Sequence, residues 1–282
     1  MAVVASPAIS ARIEYSVRPL VWWHLLSLDA PTLAVLWCAL FSAAAHVHLP
    51  IKLLVLLAIG VWAIYVLDRI LDGFDPAPGE HLKERHFFYA RHRMRFVPLL
   101  AAAGTIGAVM LFRNGTVLLP ATRHDFLALA AFLVIYYLLI HAFRRQTRWF
   151  PKEFAVGVFF SSAIAVPTWV RLAQQQKSEM ILPVLALGVL CWLNCIAITR
   201  WEASGDPPPQ TRSFWPLSVG CLAISFAGMA GHLSPIIFAI ITSTVALLWL
   251  EWNRTRFSAL SLRIAADCAL LTPLFVLPLL RR

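Results

Sequence analysis

The chain has 282 residues, of which 60% are hydrophobic and 13% charged, with a mean hydropathy of +0.74. Soluble domains carry about 25% charged residues, so a soluble two-domain enzyme is excluded and an all-α, polytopic membrane bundle is expected. The net charge of +10 comes largely from bases in short connections between apolar runs, which fits membrane topology and leaves no soluble domain for nucleic acid to bind.

A helix needs about 20 apolar residues to cross the hydrocarbon layer, and about nine runs qualify. They are 20–44, 51–72, 95–113, 125–143, 152–171, 179–200, 212–230, 234–252 and 261–280. Pro31, Pro167, Pro183 and Pro273 interrupt four of them, which membrane helices tolerate when neighbours satisfy the freed backbone groups. MAVVASPAISARIEYSVRPL lacks a basic start followed directly by a short apolar core, so no signal peptide is expected. Residues 1–19 are read as a cytoplasmic segment and 20–282 as one transmembrane helical domain. Sixteen Lys and Arg residues fall on the side of the N-terminus and seven on the other. The positive-inside rule then places the N-terminus in the cytoplasm and the C-terminus outside, in the cell membrane. The five cysteines all lie in apolar runs and read as reduced packing residues.

In chain order, the first ionisable group inside a span is Asp29, in LLSLDAPTLAV. It lies about 13 Å into the first span at 1.5 Å per residue. At that depth an acid is a functional candidate by default. The second span ends in YVLDRILDGFDPAP. Asp68 and Asp72 are four apart and share a helix face, where the helix end is already partly negative. Two readings stand: a cation such as Mg²⁺ joins the carboxylates, or they pair with Arg69 and the basic loop that follows. That loop, PGEHLKERHFFYARHRMRF, reads as a short amphipathic surface helix, whose bases either hold a diphosphate or rest on anionic lipid.

After the fourth span comes HAFRRQTRWFPKEFAVG. Arg144, Arg145, Arg148 and Lys152 either bind phosphate oxygens or serve topology alone. The sixth span ends in NCIAITRWEASGDPPP, where Asn194, Glu202 and Asp206 form a second set of oxygen ligands. Asn194 is about two turns inside the span and needs a partner. LDRILDGFDPAP and AITRWEASGDPPP are faintly alike. Either two related four-helix halves face each other, or both carry common helix-exit residues. In the ninth span Asp267 has Arg263 four residues before it, and an ion pair between them is expected.

With these residues in view, the chain resembles the UbiA-type intramembrane prenyltransferases. Those enzymes have nine transmembrane helices and two acidic motifs at the cytoplasmic ends of helices 2 and 6. The last two acids of the first motif, N-D-x-x-D-x-x-x-D, fall on Asp68 and Asp72. The second falls on NCIAITRWEASGD, with Asn194, Glu202 and Asp206 as its polar positions, and RRQTRWFPKEFAVG matches the basic pair after helix 4. The chain departs from the pattern at Ile64, Tyr65, Ile140 and Arg144, and Tyr137 lies a turn before the position of the family's tyrosine.

The resemblance implies Mg²⁺ on Asp68, Asp72, Glu202 and Asp206. Asn194, Arg69, Arg144, Arg145, Lys152 and Tyr137 would face an isoprenyl diphosphate, and a lipophilic or aromatic acceptor would enter from the membrane lipids. A CDP-alcohol phosphotransferase is disfavoured, because Asp72-Gly73 is followed by Phe74-Asp75-Pro76 and not by its Ala-Arg pair. A transporter or a non-catalytic lipid-binding protein on the same scaffold is the alternative.

Overall fold

A computed structural model of the chain describes residues 19–74, 84–113, 124–125, 127–128, 131, 152–203 and 209–280. Among them there are helices and no strand. In chain order the helices are α1 (Pro19–Leu25), α2 (Asp29–Ala44), α3 (Ile51–Phe74), α4 (Glu84–Arg113), α5 (Lys152–Trp169), α6 (Gln174–Trp201), α7 (Phe214–Ala227), α8 (Ser234–Trp252), α9 (Ala259–Ala269) and α10 (Pro273–Leu280). Among the described residues five segments are long and apolar enough to cross a membrane: Ile51–Leu71, Arg91–Phe112, Gln174–Trp201, Ser234–Trp252 and Ala259–Leu280. A sixth results if α1 and α2 count as one bent span. The protein is therefore a helical membrane protein. The expected fourth span, 125–143, lies almost wholly outside the described residues.

The first expected span is not continuous. α1 and α2 meet at 92°. The break is a helix C-cap in which Ser27 N–H donates to His24 O and Leu28 N–H to Trp23 O. This pair of bonds normally requires a left-handed residue, usually glycine, and Ser27 supplies it at φ 54°. An L-residue pays about 1–2 kcal/mol for that conformation, so its side chain must recover the difference. The same device ends α2, where His46 stands at φ 52° and Val47 N–H reaches Ser42 O.

The ninth expected span is broken as well, between Ala269 and Pro273. Pro31 and Pro273 both sit in the first turn of the second half-helix, where a missing N–H costs little. Pro167 and Pro183 are absorbed inside α5 and α6. The two broken spans lie against each other: α10 packs on α2, and the Trp37 indole donates to Leu270 O at 3.0 Å. α2 is buried along most of its length, with Ala34, Trp37, Cys38, Leu40 and Phe41 at the centre of the core.

α4 begins eleven residues before the expected third span, so the loop after α3 ends in this helix rather than in a separate surface helix. Its early turns are held by Tyr89 and Phe96, which pack with Val66 and Ile70 of α3. Farther along, Leu99, Ile106, Val109 and Phe112 are exposed, as expected of a helix whose outer face meets lipid.

α5 and α6 pack closely at two glycines. A Cβ on Gly157 would stand 2.6 Å from the Gly188 carbonyl oxygen and 3.2 Å from the Trp192 backbone. Neither backbone can move aside cheaply. Gly157→Ala should therefore destabilise the bundle by about 1–3 kcal/mol. Gly188→Ala meets only the Ser161 hydroxyl, at 3.1 Å, and should cost less. Thermal unfolding of the two variants in one detergent will rank them.

Candidate functional site

The break between α1 and α2 places three ionisable side chains together in the interior. His24 lies in the last turn of α1, Asp29 opens α2, and Asp267 comes from α9. His24 Nδ1 lies 2.9 Å from Asp29 Oδ2 and 3.5 Å from Asp267 Oδ2. Their relative exposures are 2%, 5% and 8%, so none has free access to water. Asp29 is fixed further by the Ala30 N–H, which donates to its Oδ1 at 2.9 Å. An acid in the first turn also meets the positive end of the helix dipole.

Arg69 reaches this cluster from α3. Its Nε donates to Ser27 Oγ at 2.7 Å, and Ser27 Oγ lies 3.0 Å from the Tyr89 hydroxyl of α4. The guanidinium is 5% exposed and its charge also acts on Asp29. Trp62 donates to Leu26 O at 3.1 Å and Trp23 to Thr32 Oγ1 at 3.1 Å, which ties the break to α3 and to itself. The side chain and backbone of Ser27 are thus held on three sides. Tyr65, one turn before Arg69, lies within electrostatic reach of Asp29, Asp267, Cys191 and Cys195.

The acids at the helix ends have basic partners on other helices. Asp68 Oδ1 accepts from Lys152 Nζ of α5 at 2.8 Å. Glu202, the C-cap of α6, accepts from Arg263 Nη1 of α9. These carboxylate side chains are 23% and 13% exposed, so neither turns fully to bulk water. The expected pair between Asp267 and Arg263 is not formed: Asp267 is drawn to His24 and Arg263 reaches Glu202 instead. Arg69 points into the break and bonds Ser27, as the side chain next to Asp68 is turned about 100° around the helix. Asn194 is buried on α6, and its Oδ1 has no hydrogen-bond partner among the described residues. Asp72 lies in the last turn of α3, with its side chain outside the described residues; Asp206, Arg144, Arg145 and Tyr137 lie outside them entirely.

Three participants were not singled out from the sequence: His24, Ser27 and Tyr89. For His24 a signal was present, because a titratable residue in the apolar run PLVWWHLLSLDAP meets the same depth criterion as Asp29. Ser27 and Tyr89 become visible only through the fold. No family model, curated protein or solved structure matches this chain.

Proposed function

We propose that the chain is an intramembrane transferase, passing an isoprenyl group from a prenyl diphosphate to a lipophilic or aromatic acceptor. The reading takes the bundle as nine spans in the UbiA-like arrangement, with the Asp68 end facing the cytoplasm. The observation that carries it is the Asp68–Lys152 pair. It joins an acid and a base from separate helices in a half-buried setting at the end of an apolar helix. Glu202 with Arg263 repeats the arrangement at the end of α6, and the Asn194 oxygen, which has no hydrogen-bond partner among the described residues, lies two turns deeper.

The donor set fits a hard cation, since carboxylate oxygens are the ligands Mg²⁺ prefers. Asp68, Asp72, Glu202 and Asp206 would hold it, and bound Mg²⁺ would offset the negative charge of the diphosphate. Lys152, Arg144 and Arg145 would bind phosphate oxygens. In the transfer, the bond between the allylic carbon and the diphosphate oxygen breaks, and its electron pair leaves with diphosphate. An acceptor carbon then bonds to the allylic cation and releases a proton. The surrounding apolar helices would exclude water from the cation.

The test uses the purified full chain in lipid nanodiscs with Mg²⁺ and radiolabelled farnesyl or geranylgeranyl diphosphate. Label should pass to a lipid-soluble product with release of diphosphate. Lys152→Met should lower that rate by about 100-fold, as expected for loss of a charged donor to a leaving group, and Asp68→Asn by at least as much. A wild-type chain that releases no diphosphate, or an Asp68→Asn variant with undiminished turnover, would overturn the proposal. A second reading, a transporter on the same scaffold, draws support from the buried ionisable cluster at two discontinuous helices, a recurring feature of ion-coupled carriers. Solute flux into proteoliposomes without diphosphate release would favour it.

A further inference from the structure

We infer that His24, Asp29 and Asp267 form a binding site for a divalent transition metal of the zinc type, separate from the carboxylates at the helix ends. The ligand atoms of the three residues all lie within 4.8 Å of one another, and all three residues are buried. In a tetrahedral zinc site with bonds of about 2.0–2.2 Å, neighbouring ligand atoms stand roughly 3.3–3.6 Å apart. The 3.5 Å between His24 Nδ1 and Asp267 Oδ2 already has that spacing. The 2.9 Å between His24 Nδ1 and Asp29 Oδ2 is a hydrogen bond. It would open by about half an ångström as the metal replaces the shared proton.

The donor types select the ion. Mg²⁺ and Ca²⁺ favour all-oxygen sets and Cu(I) favours sulfur, whereas one imidazole nitrogen with carboxylate oxygens suits Zn²⁺ and its first-row neighbours. Three protein ligands leave a fourth position open, the pattern of sites that bind water or substrate rather than closed structural sites.

The surroundings hold the ligands in place. Asp29 Oδ1 is occupied by the Ala30 N–H, which leaves Oδ2 as the ligand atom and fixes its direction. Ser27, between His24 and Asp29 in the chain, is held by Arg69 and Tyr89. The left-handed backbone at Ser27 is the strained element that brings the two ligands together, and such strain persists where the surroundings over-determine it. A divalent ion neutralises both carboxylates and neutral His24 adds no charge. The nearby Arg69 then leaves one positive charge in excess, so the fourth ligand should be an anion such as hydroxide or a carboxylate.

The inference does not depend on prenyl transfer, and its test reads metal directly. The full-length chain, stripped with a chelator in detergent, is titrated with Co²⁺ alone. One equivalent should give the strong visible absorption of four-coordinate cobalt. Zn²⁺ should remove that band, and excess Mg²⁺ should not. His24→Ala and Asp267→Asn should each weaken Co²⁺ binding by at least about 100-fold, while Glu202→Gln, at the other acidic centre, should leave it unchanged. Asp267→Asn is nearly isosteric and keeps the test decisive if His24→Ala does not fold. Absence of the cobalt band in the wild-type chain, or its persistence in folded Asp267→Asn, would overturn the inference.

Discussion

Arg69→Met should lower the stability of the bundle by about 3–5 kcal/mol, the cost of breaking a buried charged network from one side. The guanidinium is 5% exposed, so solvent offers little compensation. Methionine keeps much of the length and apolar contact of the stem but removes the donor to Ser27 Oγ. Ser27 would then hold its left-handed backbone with Tyr89 as its remaining side-chain partner among the described residues. Asp29 and Asp267 would keep their contacts with His24 Nδ1. Arg69→Lys restores the charge but not the planar fork, and should recover part of the loss. Arg95→Met, at an exposed position of α4, should change stability by no more than about 0.5 kcal/mol. Unfolding in mixed micelles measures all three, and an Arg69→Met chain as stable as Arg95→Met would show that the break stands without the arginine.

Glu251→Ala should produce a loss of similar size, about 3–4 kcal/mol, by a different route. Glu251 is 7% exposed near the end of α8. It accepts from Trp201 Nε1 at 2.6 Å and Arg200 Nε at 3.0 Å, and Arg254 Nη1 forms an ion pair with it at 3.3 Å. Alanine leaves the indole N–H and the largely buried Arg200 without this acceptor. Glu251→Gln keeps an oxygen for Trp201 and loses the charge, so about half the penalty should remain. Arg254→Ala should be nearly silent, because that arginine is 42% exposed and keeps much of its hydration. The ordering Ala, then Gln, then the Arg254 variant is the result to check by thermal melts. A Glu251→Ala variant that melts with the wild-type chain would remove the residue from the account of how α6 and α8 are joined.

Membrane class and the positions of five of the nine expected spans were readable because hydropathy is a local property, whereas 152–171 and 212–230 are not among the segments long and apolar enough to cross. Ser234–Trp252 coincides with its expected span, and Ile51–Phe74 differs from its own by two residues. The breaks were not readable in the same way. SLDAP and LLTP sit inside runs apolar enough to pass as continuous, and a left-handed serine leaves no mark on periodicity. Charge partners were least legible, because they are chosen in three dimensions. Arg263 had a candidate acid four residues along its own helix and took Glu202 from α6. The shared face of Asp68 and Asp72 follows from spacing alone, but what that face meets does not: Lys152 lies beyond α4 and the whole of the expected fourth span. Asn194 is buried, as its place inside the span requires, while its Oδ1 has no hydrogen-bond partner among the described residues.

The bond from Trp37 to Leu270 spans 233 positions of sequence, and this separation bears on biogenesis. His24 and Asp29 enter the bilayer while most of the chain is still unmade, so two ionisable groups wait in lipid without Asp267. Arg69 and Tyr89, the side-chain partners of Ser27 at the break, arrive much earlier. Insertion of the N-terminal segment should therefore depend on α3 and α4 following promptly, and the polar centre should mature only when α9 leaves the translocon.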